Sequence, residues 1–533
     1  MNSEIPHTKI EISIKCTDLP KLDICSRSDP FYIFYTNQNT TEKKWQQIKK
    51  SRVISNCHNP EFDDRVIMTY YFESYQQCRI ELYDDDNNGK SKDFIGYYEF
   101  VLGELVSSNN LKKDRFLLNK KNKPLEKKSK IYFDINEITG TAGTINFDIM
   151  LKNVPKKGLF KTNQNLNLKF YRSDNKLSYE STKSTSHIWK NLNFDLFHFC
   201  GGDLNSKIIL HVLKSNVHFG QTFFTVCELF KIYNANDTKL TLDIINGEKP
   251  KLKVLCVIDV KSIIEGFSFL DFVRSAMQIN MLTSIDFTYS NGYPPTLPNS
   301  LHNINQGTNQ YVIAINSVGR IVVEYDHDKF LPCYGFGAKL TENSEANHCF
   351  NLRDNGNDCF GVEGILKAYY SRVTTVKFHG PTMFSPTLQC AEKAAKENHI
   401  INMEYKNSAS NVKNFLQYTI LLILTDGLIT DLQETTKKII DMSNLPLSII
   451  IVGLGNADFS AMEFLDSDSS LLSIGSKTAV RDIVQFVKLL PFLSGQISEM
   501  YDSLAANVLA EIPNQVISYM RLHNLKPKTR DLM

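Results

Sequence analysis

Two stretches near the amino end carry acidic residues at spacings that suit metal binding. The stretch LPKLDICSRSDPFY places Asp23 and Asp29 six residues apart, and LYDDDNNGKSKDFIG contains Asp84, Asp86 and Asp93. Side chains alternate faces along a strand, so Asp84 and Asp86 are expected to point to the same side. If a β-sandwich brings both loops to one end, five carboxylates converge and repel strongly unless a cation lies among them.

Carboxylate oxygens on flexible loops favour Ca²⁺ over Zn²⁺ or a transition metal. Two Ca²⁺ ions would cancel four of the five negative charges, so calcium would let this tip bridge the phosphates of anionic lipid. The alternative is that the second stretch alone is an acidic, solvated turn, as runs of charge usually are. Its combination with the SDPF stretch favours the calcium interpretation.

A basic segment follows the first acidic stretch. The sequence EKKWQQIKKSR gathers Lys43, Lys44, Lys49, Lys50 and Arg52 within one predicted strand and its flanks. Near an anionic leaflet each basic residue contributes about 1 kcal/mol. A lysine-guarded edge strand explains the same pattern equally well. Binding of lipid headgroups, including phosphoinositides, through these side chains is therefore a hypothesis.

A second set of oxygen ligands lies in the carboxyl-terminal half. The motif DFTYSNG contains Asp286, Thr288 and Ser290, HGPTMF contains Thr382, and LLILTDG contains Asp426. Asp286 lies at the end of one predicted strand, and Thr382 and Asp426 are expected at comparable strand ends. Open α/β sheets bind ligands at the carboxyl ends of their strands. Hydroxyls and carboxylates with water suit Mg²⁺, and an incomplete shell would leave a position for a partner's carboxylate. Taken separately, a capped strand end and a plain turn would account for these motifs.

Hydrophobic periodicity predicts the elements that position these residues. The first half alternates apolar and polar residues in short strands, which predicts two sandwiches. These strands are predicted at 9–14, 31–35, 66–72, 79–83, 144–151, 166–171, 207–213 and 251–260. In the second half, apolar runs alternate with helical periods, which predicts a doubly wound α/β domain. Its strands are predicted at 281–287, 418–424 and 447–452, and its helices at 310–324, 362–372, 386–397, 432–442 and 480–489.

Bulk composition narrows the function classes. The 533 residues are too many for one hydrophobic core. A formal net charge of +2 is too small for the whole chain to bind polyanions, so any such attraction must come from local basic clusters. We expect no transmembrane segment, no signal peptide and no lipidation motif. Eleven cysteines without a CxxC pair indicate reduced thiols. Hydrolase, P-loop and kinase motifs are absent, as is a nucleic-acid-binding module, so we predict neither an enzyme nor a nucleic-acid binder.

These motifs resemble the copine family. The SDPF and aspartate stretches are similar to a C2 domain, and IDFTYSNG, FLPCYGFGAKL, GPTMFSPTLQCA and LILTDGLITD resemble the von Willebrand A-type domain of copines. The resemblance implies two all-β C2 sandwiches followed by an α/β doubly wound, Rossmann-like A-type domain. The expected boundaries are 1–125 and 126–255 for the C2 domains, 256–278 for a linker, 279–500 for the A-type domain and 501–533 for a helical tail.

Copine resemblance also implies a function. We expect calcium-dependent binding to anionic phospholipid membranes, with Ca²⁺ on the five aspartates and Mg²⁺ or Mn²⁺ in the A-type site. The A-type domain would bind target proteins. The chain would be cytoplasmic and move to the plasma membrane, and to intracellular membranes as a further destination, when calcium rises. The alternative is a cytosolic A-domain adaptor with little or no calcium-dependent membrane binding.

The second C2 domain departs from the family pattern. Its first and third loops read KKGLFKTNQNLNLKFY and LHVLKSNVHFGQTFF, and neither contains an aspartate. Without carboxylates this domain is predicted to be calcium-silent, serving as a spacer, a protein surface or a lipid contact. The lysines available for a lipid contact are Lys152, Lys156, Lys157 and Lys161. A single calcium-competent C2 domain should lower membrane avidity.

Overall fold

The computed structural model divides the chain into two units, Met1–Asn136 together with Phe269–Met533, and Glu137–Ser268. The described residues are 7–22, 28–37, 44–86, 91–108, 115–125, 129–138, 143–156, 164–173, 175–201, 203–214, 217–235, 237–246, 253–354, 356, 358–408, 415–466 and 470–528.

The first sandwich forms the amino-terminal part of the larger unit. Its strands are β1 His7–Thr17, β2 Pro30–Asn37, β3 Trp45–Lys50, β4 Glu61–Tyr71, β5 Gln77–Asp86, β6 Ser91–Val101 and β7 Lys130–Glu137, with helix α1 at Leu102–Ser108. They form two sheets in the orders β4-β1-β7 and β3-β2-β5-β6. Burial alternates along β5, so one face of this strand packs into the core between the sheets.

The second sandwich forms the smaller unit. Its strands are β8 Gly143–Lys152, β9 Leu166–Tyr171, β10 Leu177–Glu180, β11 Ile188–Asp195, β12 Lys207–Lys214, β13 Val217–Thr225, β14 Lys239–Ile244 and β15 Val254–Glu265, with helices α2 Leu196–Cys200 and α3 Val226–Asn234. The sheet orders are β10-β9-β12-β13 and β11-β8-β15-β14. The inward side chains of both sheets form a separate core of this unit.

An α/β domain completes the larger unit. Its strands are β16 Gln278–Asp286, β17 Phe330–Leu331, β18 Cys333–Phe336, β19 Ala338–Lys339, β20 Phe350–Asn351, β21 Cys359–Phe360, β22 Lys377–Phe378, β23 Gln417–Thr425, β24 Leu447–Gly453, β25 Ser473–Ile474, β26 Lys477–Thr478 and β27 Val484–Lys488. The main sheet has the order β20-β18-β16-β23-β24-β27 and is parallel except at the β20 edge. Nearly every residue of β16, β23 and β24 is buried, as expected when helices cover both faces of a sheet.

Helices pack on this sheet and extend to the carboxyl end. They are α4 Phe269–Arg274, α5 Gln310–Val322, α6 Gly361–Val373, α7 Ser385–Asn407, α8 Leu432–Met442, α9 Ser460–Leu465, α10 Ile497–Val508 and α11 Ile512–Leu522. No described helix is long and apolar enough to cross a bilayer.

The first sandwich and the α/β domain share one continuous apolar core. The Phe72 ring lies 4.9 Å from the rings of Phe269 and Tyr325. The Tyr70 and Tyr325 hydroxyls are 2.6 Å apart, and both rings are buried. Burial of aromatic rings from both the first sandwich and the α/β domain stabilises this contact by roughly several kcal/mol.

The predicted fold class is confirmed, and two local predictions differ from the structure. The helix predicted at 480–489 is wrong, because strand β27 lies there and pairs with β24; a short apolar run does not distinguish a buried strand from a helix. The expected boundaries also differ: β7 extends the first sandwich past residue 125. Most of the expected linker 256–278 lies in β15 and α4.

Candidate functional site: two clusters of oxygen ligands

Strand pairing brings three of the predicted calcium ligands to one end of the first sandwich. Asp84 lies opposite Pro30, the first residue of β2, and also opposite Asp93 on β6. Asp29 immediately precedes β2, and its carbonyl accepts a hydrogen bond from the Asp85 N–H at 3.0 Å. The two acidic stretches, 55 residues apart in sequence, are therefore neighbours in the sheet.

Asp84 is the buried centre of this end. Its side chain is fully buried, and its Oδ1 accepts a hydrogen bond from the Asp29 N–H at 2.5 Å. Its Oδ2 is buried and has no hydrogen-bond partner among the described residues. The Asp29 carboxylate accepts a hydrogen bond from the Asn56 N–H at 2.6 Å. An orphaned buried carboxylate oxygen is costly unless a cation or water satisfies it, so this arrangement fits a hard cation such as Ca²⁺.

Three further aspartates are predicted to bind calcium at this end of the sandwich, namely Asp86, Asp93 and Asp23. Asp86, two positions beyond Asp84, is half-buried, and Asp93 is exposed. Asp23 lies outside the described residues. Within the described ranges, no group of three or more histidine, cysteine or acidic side chains is arranged to hold a metal ion. The five-aspartate calcium site therefore stays a prediction, for which the described residues provide a frame.

The basic segment forms an edge strand. β3 is the outer strand of its sheet, and Lys49 and Arg52 form ion pairs with Asp64 at 3.4 and 3.2 Å. The Lys50 ammonium lies 4.4 Å from the Phe31 ring centroid. Lys44 is exposed, and Lys43 lies outside the described residues. Two of the proposed lipid contacts thus have intramolecular acidic partners.

The second sandwich has a lysine and a valine at the positions where the first sandwich has Asp84 and Asp93. In β5–β6, Asp84 and Asp93 form the second pair after a register shift, and Asp84 faces the first residue of β2. In β12–β13, the second pair after the equivalent shift is Lys214 and Val217, and Lys214 faces the first residue of β9. A lysine at the Asp84 position repels a cation. This supports the prediction that the second sandwich is calcium-silent.

The predicted ligands of the α/β domain converge at the carboxyl ends of β16 and β23. The Ser290 hydroxyl donates to Asp426 Oδ1 at 2.9 Å and lies 3.0 Å from the Thr288 hydroxyl. The Thr382 hydroxyl lies 3.5 Å from that of Thr288. Asp286 is fully buried, and its Oδ1 accepts the Thr288 N–H at 2.8 Å. We call these five residues the hydroxyl-carboxylate cup.

Neighbouring loops hold Thr382 in place. The Thr382 carbonyl accepts hydrogen bonds from the N–H and the hydroxyl of Thr430, both at 2.9 Å. The Asp431 carboxylate accepts the Phe384 and Ser385 N–H groups at 3.1 and 2.8 Å, at the start of α7. These bonds satisfy amides of the helix start that would otherwise lack partners. The loop before α7 is thereby fixed to the loop after β23.

Electrostatics of the cup favour a cation. Burial raises the pKa of Asp286. Burial, followed by the Asp286 charge, raises the pKa of Asp426 to about 7. Two buried carboxylates beside three hydroxyls are the donor set of Mg²⁺ or Mn²⁺, and a divalent ion would relieve their mutual repulsion. The residues present therefore fit the metal that the sequence predicts here.

Sequence reasoning missed the residues that support the cup. The Asn291 amide donates to Asp426 at 2.9 Å, and the Thr425 hydroxyl donates to Asp286 Oδ2 at 2.6 Å. Tyr311 donates to Asn291 Oδ1 at 2.6 Å. Asn291 directly follows DFTYS and Thr425 directly precedes Asp426, so adjacency to the motifs could have indicated both. Tyr311, on α5, had no such signal.

Comparison with known proteins decides the family. A copine family model matches residues 300–528, and a C2-domain model matches residues 9–117. Copine-A of Dictyostelium discoideum is 34% identical over 557 aligned positions, which cover 99% of this chain and 86% of that protein. The chain belongs to the copine family. As a copine with a C2 domain, it is a member of a class whose shared property is calcium-dependent phospholipid binding.

Solved structures with C2 domains resemble parts of this copine. The calcium-bound tandem C2 domains of Extended-Synaptotagmin 2 align with 49% of this chain and 98% of their own, at 17% identity and a TM-score of 0.23. A chain described as BON1-C2B aligns with 26% of this chain and 99% of its own, at 21% identity and a TM-score of 0.22.

Proposed function

We propose that this copine is a peripheral membrane protein that binds anionic phospholipid when Ca²⁺ occupies the end of its first sandwich. Asp23, Asp29, Asp84, Asp86 and Asp93 would hold the calcium. The observation that carries the proposal is the fully buried Asp84 carboxylate, whose Oδ2 has no partner among the described residues. Calcium would satisfy that oxygen and cancel the charge that otherwise repels lipid phosphates.

Lipid contact would come from the calcium-loaded end, with a smaller contribution from the basic edge strand. Lys44 and Lys50 are exposed, whereas Lys49 and Arg52 pair with Asp64. A basic side chain that already has an acidic partner must give up that ion pair to bind a lipid phosphate, so its net contribution to lipid binding is smaller. The contribution of the basic segment 43–52 should therefore depend mainly on Lys43, Lys44 and Lys50.

The α/β domain would recruit partner proteins to the membrane. Mg²⁺ or Mn²⁺ in the hydroxyl-carboxylate cup would leave a coordination position for a carboxylate of the partner. We further propose that the chain resides in the cytoplasm, moves to the plasma membrane or intracellular membranes when calcium rises, and catalyses no reaction. The exposure of Ser290 supports access to the cup from solvent.

A cytosolic adaptor is the second candidate. The observation that favours it is that the cup residues already contact one another, whereas Lys49 and Arg52 of the basic edge strand are paired with Asp64. In that case the cup would provide the main activity and the first sandwich would serve as a scaffold.

Cosedimentation of the full chain with vesicles separates the two functions. Phosphatidylserine-containing vesicles should sediment the protein in Ca²⁺ and release it in a calcium chelator, whereas pure phosphatidylcholine vesicles should not bind it. Calcium-independent binding, or no binding in either condition, would favour the adaptor.

A further inference from the structure

Two cysteine thiols of the α/β domain face each other beside a cavity. The Cys349 and Cys390 sulfurs are 2.9 Å apart, and both side chains are half-buried. The cavity has a volume of about 970 Å³ and is lined by the segment 345–349 and by one face of α7. Neither residue belongs to the calcium site or to the hydroxyl-carboxylate cup.

Rigid elements hold both sulfurs in place. The Cys349 N–H donates to Asn347 Oδ1 at 2.9 Å, and the Asn347 N–H donates to the Ala338 carbonyl at 2.7 Å. Cys349 immediately precedes β20, which is paired with β18. Cys390 lies in the second turn of the 23-residue helix α7. The sulfur separation is only about 1 Å longer than a disulfide bond, so bond formation needs little movement.

Local charge makes the two thiols unequal. The hydrogen bond with Cys349, followed by the positive charge of Lys393, lowers the pKa of Cys390 to about 7. The same hydrogen bond, followed by burial, raises the pKa of Cys349. A thiolate, not a thiol, is the nucleophile, so Cys390 is the attacking group and Cys349 the second thiol.

Accessibility distinguishes this pair from other cysteines. Cys333 and Cys359 also form a hydrogen-bonded pair, but each is only 1% exposed. Cys256 is fully buried, and burial raises its pKa to about 12. Oxidants react with thiolates that solvent can reach. The pair beside the cavity meets both requirements, whereas these core cysteines do not.

We propose that Cys349 and Cys390 form a redox dithiol that reacts with hydrogen peroxide and closes to an intramolecular disulfide. The Cys390 thiolate attacks one peroxide oxygen, the O–O bond breaks, and water leaves after taking up a proton, which gives a sulfenic acid. The Cys349 sulfur then attacks Cys390, forms the S–S bond and displaces a second water. The two thiols lose two electrons and two protons, and hydrogen peroxide is reduced to two water molecules.

Differential alkylation of the full chain tests this proposal. The protein is treated with hydrogen peroxide, free thiols are alkylated, and tryptic peptides are identified by mass spectrometry before and after reduction. Alkylation of Cys349 and Cys390 should fall by about tenfold or more, a linked peptide should appear, and half-buried Cys227 should change little. Unchanged alkylation of both residues, or crosslinks only between chains, would overturn the proposal.

Single variants assign the order of the two steps. In Cys349→Ser, the sulfenic acid on Cys390 has no second thiol and should be trapped by dimedone. Cys390→Ser should give neither the disulfide nor a dimedone adduct at Cys349, while Cys227→Ser should behave as the wild type. Circular dichroism checks that each variant is folded. Dimedone labelling of Cys349 in Cys390→Ser, as strong as that of Cys390 in Cys349→Ser, would contradict the assigned roles.

Discussion

The buried carboxylates of the hydroxyl-carboxylate cup differ in how they are satisfied. Both oxygens of Asp286 accept hydrogen bonds, from the Thr288 N–H at 2.8 Å and the Thr425 hydroxyl at 2.6 Å. Asp426 accepts from Ser290 and Asn291 through Oδ1 alone. Asp426 is therefore the carboxylate better placed to contact an ion directly, and Asp286 orients the loop that carries the hydroxyls.

Asp426→Asn should separate metal binding from folding. It removes one of two repelling buried carboxylates, so the metal-free thermal unfolding midpoint should rise. Saturating Mg²⁺ should raise the wild-type midpoint by a few degrees and leave that of the variant unchanged. Differential scanning fluorimetry measures both effects. Asp441→Asn, at an exposed ion pair with Lys477, is the matched control and should keep the full Mg²⁺ response. An equal Mg²⁺ shift in Asp426→Asn would contradict the cup assignment.

A second buried carboxylate makes stability depend on pH. Glu73 is 1% exposed, and neither oxygen accepts a hydrogen bond from another residue that the structure describes. Burial raises its pKa from 4.5 to about 7. The folded state therefore favours the protonated form, and the contribution of Glu73 is full below about pH 4.5 and is lost as pH rises through about 7.

Glu73→Gln should stabilise the protein only at the higher pH. A neutral isostere removes the cost of ionising a buried group, which amounts to at most about 3 kcal/mol for this pKa shift. The unfolding midpoint of the variant should exceed that of the wild type at about pH 8 and match it near pH 4.5. An identical difference at both pH values would show that Glu73 is not the group that titrates.

At the scale of elements, two hairpins of the same register carry different residues at the end where calcium is predicted to bind. The β5–β6 and β12–β13 hairpins share the same register shift, yet one carries Asp84 and Asp93 where the other carries Lys214 and Val217. The fold of the second sandwich is retained because the inward positions of its strands stay apolar. The acidic pair is therefore replaced without any change in the apolar packing of the second sandwich.

The second sandwich alone should not respond to calcium. Residues 137–268 form a unit with its own apolar core, so they can be produced as a separate chain for this test. Their unfolding midpoint should be the same in Ca²⁺ and in chelator, since Lys214 opposes a cation at the position equivalent to Asp84. A calcium-dependent rise of several degrees would show that this unit has a site that its strand ends do not reveal.

Long elements with strong periodicity were predictable from sequence, and interfaces were not. The runs that became β23 and β24 are mostly apolar, and the motifs at the ends of β16 and β23 indicated the cup. The 480–489 stretch was misassigned because β27 is short and its strand character comes from pairing with β24. The contact of Tyr70 with Tyr325 joins residues 255 positions apart, and no local pattern indicates it.

At the scale of the whole molecule, the shared core of the first sandwich and the α/β domain limits how separately they act. Phe72 packs against Phe269 and Tyr325 inside one unit, and the Ser107 hydroxyl donates to the Glu324 carbonyl at 2.7 Å. The calcium end and the cup are thus parts of one unit, so lipid binding would bring the cup to the membrane without a flexible connection between them.

The most direct measurement is a calcium titration of vesicle binding by the full chain and two matched variants. Asp84→Asn and Asp85→Asn remove the same charge from neighbouring positions of β5, whose side chains point to opposite faces. The Asn oxygen can still accept the Asp29 N–H, so the fold should be kept. Asp84→Asn should abolish calcium-dependent binding or raise the half-maximal Ca²⁺ concentration by about tenfold or more, whereas Asp85→Asn should bind much as the wild type does. Equal titrations for Asp84→Asn and the wild type would contradict the account.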